Sequence, residues 1–258
     1  MRKVVSRDGT TIAYEKVGDG PPLVLLGGGF RDHTVFSGII PELAPYCTTY
    51  SFDRRGRGES GDAPTYAVER EIEDIEAVIA EAGGAAAVFG GSTGAILALE
   101  AAMAGAAITK LVLLEPPYRR TGDPRPPDDF ADNLRALLAE EKRDEAAVYF
   151  LAEMVGFSPE EIAQWRESPM WPANEAMAHT LVYDTAICGD VSVPVERLAK
   201  TEVPTLVINS EKSSDWLLAA GRETAAALPS GRQVTLPGVW HKVPPEVLCP
   251  ALVEFITG

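Results

Sequence analysis

The chain has 258 residues, 46% of them hydrophobic, and a formal net charge of −15 at pH 7. That length and apolar content suffice for one large core carrying an insertion. The acidic balance argues against nucleic acid or an anionic membrane surface as partner. No run approaches the roughly 18 apolar residues of a membrane span, and the N-terminus alternates polar and apolar residues without a signal-peptide core. A soluble, cytoplasmic protein is expected, as monomer or homodimer. Cys47, Cys188 and Cys249 are an odd set of widely spaced thiols with neither CxxC nor Cys/His metal spacing. Buried thiols of a reducing compartment, and no metal site, are the reading.

In chain order, "VVSRDGTTIAYEKVG" predicts a hairpin about Asp8-Gly9, a dipeptide favoured in tight strand connections. "PPLVLLGGGF" reads as a buried strand running into glycines, and "TTYSFDRRGRGES" as a strand to Phe52 followed by a charged, glycine-spaced loop. Val68, Ile72, Ile75 and Ile79 have helical spacing and predict a helix near 68–82. A strand at 85–89, a helix at 93–104 and a strand at 108–114 follow. From about Asp128 to Thr185 the pattern is helix after helix with no convincing strand. "VPTLVINS", "DWLLAAGRETAAAL", "RQVTLPG" and "PPEVLCPALVEFITG" then restore strand, helix, strand and helix. Continuous apolar strands alternating with helices predict an α/β fold whose mostly parallel sheet is covered on both faces. Residues 1–118 and 190–258 make the core in this reading, with 119–189 inserted as a helical cap.

Between the strand at 85–89 and its helix lies "GGSTGA", in which Gly90, Ser92 and Gly94 form Gly-x-Ser-x-Gly. The strand–turn–helix context gives that pattern meaning: a sharp turn holds the serine hydroxyl clear of the sheet, and its neighbours must lack side chains. With "LLGGGF", "DRRGRGES", "LLEPP", "PTLVINSEKSSDW" and "LPGVWH" in this order and spacing, the chain resembles the α/β-hydrolase fold superfamily over nearly all of its length outside the cap.

The resemblance implies a serine hydrolase with a catalytic triad and no cofactor, in which Ser92 attacks a carbonyl after a histidine takes its proton. His241, after the last strand in "LPGVWH", holds the family's base position; His33 and His179 read as structural or pocket-facing residues. Thr93 and the glycine loop are expected to supply the oxyanion N–H groups, with Gly29 ahead of Phe30 for the second. The acid has two candidates. The commoner family position falls on Ser210-Glu211-Lys212-Ser213, with Asp215 two residues beyond, at the start of a helix where an N-cap aspartate is an ordinary structural choice. The other position, which resembles that of haloalkane dehalogenases and some lactone-cleaving members, falls on Glu115. Glu115 ends four apolar residues, so it should be buried and need a partner; His241 is preferred, and Arg119 is the structural alternative.

A serine at the elbow suits carbonyl chemistry: esters, lactones, thioesters or carbon–carbon cleavage of diketones. The insert's aromatic and aliphatic residues describe an apolar roof, and Trp216 and Trp240 should narrow the site. "DRRGRGES" reads as a structural loop whose charges pin neighbouring turns. No ring of lysines or arginines marks a strongly anionic substrate. The expectation is therefore a small or medium apolar ester or lactone. A carbon–carbon bond hydrolase, a cofactor-free haloperoxidase or perhydrolase, and a non-catalytic ligand-binding relative are the alternatives.

Overall fold

The computed structural model describes residues 1–258, the whole chain. Strands β1 (Arg2–Val5) and β2 (Thr11–Val17) form the expected antiparallel hairpin. Strands β3 (Pro22–Leu26), β4 (Thr48–Phe52), β5 (Ala86–Gly91), β6 (Ile108–Leu114), β7 (Thr205–Ser210) and β8 (Gly231–Leu236) complete one sheet. Its order is β1-β2-β4-β3-β5-β6-β7-β8; β2 meets β4 antiparallel, and the pairings from β4 through β8 are parallel.

The continuous apolar strands are explained by the way their side chains divide. Val24, Leu26, Val88, Leu111 and Leu113 join a core of 43 buried residues on one face. Their alternates Leu23, Leu25, Phe89, Val112 and Leu114 join a core of 17 on the other. With both faces covered, these apolar residues of the central strands are buried whichever way they point. Helices α1 (Ile40–Leu43) and α11 (Pro245–Thr257) pack on the smaller core. Helices α2 (Val68–Glu81), α3 (Thr93–Met103) and α10 (Asp215–Ala227) pack on the larger. Nine of the eleven residues of α3 are buried, so this helix shows no amphipathic stripe.

Between β6 and β7 the chain forms α4 (Phe130–Ala139), α5 (Arg143–Tyr149), α6 (Pro159–Arg166), α7 (Trp171–Ala176), α8 (Leu181–Cys188) and α9 (Val195–Leu198). A π-helical turn, Phe150–Val155, follows α5 directly. Ser158 and Glu161 form a capping box at the start of α6. Four-residue α1 and α9 are too short to show a period in sequence. No helix is long and apolar enough to cross a membrane.

Candidate active site

The sheet order reverses at β3, which lies between β4 and β5. Crevices that hold ligands in open α/β sheets form at such a point, beyond the carboxyl ends of the strands. Here the glycine loop after β3 and Ser92 after β5 meet: a Cβ added at Gly28 would come 2.9 Å from the Ser92 Cβ. Ser92 itself has φ 54° and ψ −126°, a strained backbone for a residue with a side chain. Glycines are required around it. A Cβ at Gly90 would lie 2.5 Å from the Gly94 carbonyl oxygen, and one at Gly94 would lie 2.6 Å from that of Leu26. Of seven non-glycine residues with positive φ, five are Phe30, Ser92, Glu115, Trp240 and His241. Such strain gathers where surrounding structure holds functional groups in place.

Register aligns the acid with the serine. Ser92 N–H donates to the Leu114 carbonyl at the end of β6, and Glu115 N–H donates to that of Ile208 in β7, both at 2.9 Å. Glu115 is wholly buried and lies 2.7 Å from His241 Nδ1, across 126 residues of chain. The backbone N–H of His241 donates to the same oxygen, Oε2, at 2.6 Å. The other oxygen, Oε1, accepts from Ser210 N–H at 2.8 Å, from the Ser210 hydroxyl at 2.7 Å and from the Ser213 hydroxyl. Burial by itself would raise the Glu115 pKa, but His241, Ser213 and Ser210 outweigh it and hold the carboxyl down to about 2. Ser210 and Ser213, which stand at the commoner family position for the acid, thus bond the carboxylate that follows β6. Asp215 is exposed and begins α10 one residue after Ser214, which takes the N-cap position expected for it. Arg119, the alternative partner, makes no ion pair with Glu115; its guanidinium lies over the Trp216 ring instead.

Behind the glycine loop runs a buried charge network. Arg54 pairs with both oxygens of Glu71 at 2.6 and 2.7 Å and with Asp184 Oδ1 at 2.7 Å. Arg57 donates to Asp184 Oδ2 at 2.7 Å and to the Gly28 carbonyl at 2.6 Å. The Thr93 hydroxyl donates to Asp184 Oδ1 at 2.7 Å. Asp184, on α8, thus ties the helices between β6 and β7 to Thr93 and, through Arg57, to the glycine loop after β3. A trans peptide holds C=O and N–H on opposite sides, so fastening the Gly28 carbonyl on Arg57 turns the Gly29 N–H away from it. Gly29, Phe30 and Thr93 N–H groups donate to no acceptor in the protein. Arg54, Arg55 and Arg57 are each 1% exposed; this loop is the pinned one the sequence suggested. Its tie to Asp184 carried no sequence signal.

Ser92, His241, Thr93 and Gly29 open on one cavity of ≈ 380 Å³. Phe150, Met154 and Trp165 of the insert line it, as do Trp216 and Trp240. Its charged wall differs from expectation: Arg31, Arg119 and Lys242 line it, and no aspartate or glutamate does. These cations are scattered through the sequence, and spacing gives no sign that they converge.

His33 and His179 lie outside the cavity. The His33 ring lies 2.7 Å from Asp53, which also accepts the His33 and Glu59 N–H groups. With Asp32 these two could hold a cation, but the Asp32 carboxylate already bonds Thr34 and the cluster is accounted for as loop bracing. His179 sits 3.1 Å from the Ala176 carbonyl. All three cysteines are free and buried, and burial pushes Cys188, on the cavity wall, up to about 12.

Residues 23–252 match the alpha/beta hydrolase family. The crystal structure of an alpha/beta hydrolase from Sphaerobacter thermophilus is 48% identical, covers 99% of this chain and 100% of its own, and superposes with a TM-score of 0.96. That of a hydrolase from Pseudomonas aeruginosa is 25% identical, covers 100% and 98%, and gives 0.80. An uncharacterized hydrolase from Bacillus subtilis, YraK, is 34% identical over 96 residues, which are 36% of this chain and 35% of that protein's length. With a family match across six of the eight strands and the helices between β6 and β7, the chain belongs to the alpha/beta hydrolase family.

Proposed function

We propose that the protein is a serine hydrolase that cleaves a small or medium carboxylic ester or lactone through an acyl-enzyme on Ser92. His241 is the base, Glu115 the acid, and the N–H groups of Gly29 and Thr93 hold the oxyanion. Residues 119–189 act as a cap on the body formed by 1–118 and 190–258.

One observation carries this reading: a strained serine shares a cavity with an imidazole whose Nδ1 lies 2.7 Å from a wholly buried carboxylate. In the reaction, His241 accepts the Ser92 hydroxyl proton as Oγ adds to the carbonyl carbon. The negative oxygen then meets N–H groups that have no competing acceptor in the protein. Collapse breaks the carbon–oxygen bond, and His241 returns the proton to the leaving alcohol. Water repeats the sequence to free the acid and restore Ser92. Glu115, held at about 2, stays ionised at neutral pH and stabilises the imidazolium formed at each step.

A fluorophosphonate probe tests the nucleophile. Folded wild-type protein should be labelled and Ser92→Ala should not; failure to label the wild type overturns the reading in favour of a ligand-binding relative.

A further inference from the structure

We propose that the ester or lactone accepted here carries a carboxylate remote from its scissile carbonyl, and that Arg119 binds that carboxylate; the substrate class rests on Ser92 being the nucleophile, the anion subsite does not.

Arg119 follows β6 by five residues and is 5% exposed. One terminal nitrogen, Nη2, donates to the Met154 carbonyl at 2.9 Å, and the guanidinium carbon lies 3.2 Å from the Trp216 ring centroid. Stack and hydrogen bond fix the plane of the group. The second terminal nitrogen, Nη1, is buried with no acceptor. A buried, unpaired cation is strongly unfavourable unless something arrives to pair it. The chain pairs its other buried arginines fully: Arg54, Arg55 and Arg57 each face at least one carboxylate. Nothing near Arg119 does the same. Cys188 is a neutral thiol, and Asp123 is engaged by Arg120. Burial lowers Arg119 to about 10, so it remains charged at neutral pH.

The cavity repeats the message. In a protein of net charge −15, its charged lining is Arg31, Arg119 and Lys242, without a single carboxylate. Arg31 makes no ion pair and lies over the Trp165 ring at 5.9 Å. A fixed guanidinium edge suits a planar carboxylate, and one anionic charge answers one buried cation. The apolar body of such a substrate fits between the aromatic walls. With that carboxylate on the acyl side, hydrolysis of the ester bond by water yields an alcohol and a dicarboxylate, and hydrolysis of a lactone yields a hydroxy-dicarboxylate.

The test compares kcat/KM for the mono-para-nitrophenyl ester of glutaric acid with that for para-nitrophenyl pentanoate. The anionic-to-neutral ratio should fall about 10- to 100-fold in Arg119→Met and be partly kept in Arg119→Lys. In parallel, glutarate should raise the Tm of wild type and of Ser92→Ala but not of Arg119→Met. An unchanged ratio in Arg119→Met overturns the proposal. Should that variant fail to fold, the wild type decides: glutarate must stabilise it more than neutral glutaramide does, and equal shifts overturn the proposal. Folded wild type that turns over neither ester but is stabilised by glutarate refutes the serine chemistry and keeps the anion subsite.

Discussion

Glu115 and Asp184 are both wholly buried beside the elbow, and they are satisfied in opposite ways. Asp184 faces the guanidiniums of Arg54 and Arg57, whose attraction outweighs burial and lowers its pKa. Its charge is cancelled in place, and what it supplies is position for Thr93 and the Gly28 carbonyl. Glu115 faces hydroxyls, backbone N–H groups and an imidazole. His241 first, then Ser213 and Ser210, hold it ionised, and no arginine or lysine cancels its charge, which on the proposed mechanism is left to stabilise an imidazolium. A buried carboxylate between arginines builds structure; one between neutral donors and a histidine can take part in chemistry.

Four expectations sharpen or break this contrast. Glu115→Gln should lower ester turnover by roughly two to four decades in steady-state assays, as triad acids do. A fold that survives with its rate intact would move the acid elsewhere. Asp184→Ala leaves two buried guanidiniums short of a partner and should lose about 3–5 kcal/mol of stability in urea titrations. Its folded fraction should keep more turnover than Glu115→Gln; the reverse ranking would break the distinction. Next comes acid. Glu115 sits at about 2 in the folded protein against an ordinary 4.5, so its ionised form stabilises the fold above about 4.5, and that contribution is lost as pH falls through about 2. The urea midpoint of Glu115→Gln should therefore fall less steeply across that window than that of wild type. The smallest effect belongs to Asp215→Asn. Exposed at the start of α10, it should change stability by less than about 0.5 kcal/mol and leave turnover unaltered. Collapse of turnover in this variant would restore the commoner acid position.

Much of this was legible in the chain. Asp8-Gly9 announced the hairpin, the apolar runs announced buried strands, and Ile72, Ile75 and Ile79 announced α2. Gly90, Ser92 and Gly94 announced the sharp turn; a Cβ at Gly90 meets the turn's own backbone at Gly94, whereas one at Gly94 meets Leu26 and Gly27 of the neighbouring strand and loop. Glu115 could be singled out as a lone carboxylate at the end of an apolar strand, which must find a partner once buried. In the sequence Arg119 stood only as the alternative partner of Glu115, behind His241, and nothing in the spacing signalled that the structure turns it onto Trp216.

By itself the sequence determined what depends on neighbours along the chain: strand, turn and helix, the glycines the elbow cannot do without, and a serine able to stand clear of the sheet. Tertiary structure decided which charges are cancelled and which are not. Pairing and burial depend on segments more than a hundred residues apart, such as Asp184 with Arg54 and His241 with Glu115. Spacing does not encode those meetings; only the packing of the inserted helices against the sheet brings them about, and it leaves Arg119 facing the cavity without a counter-charge.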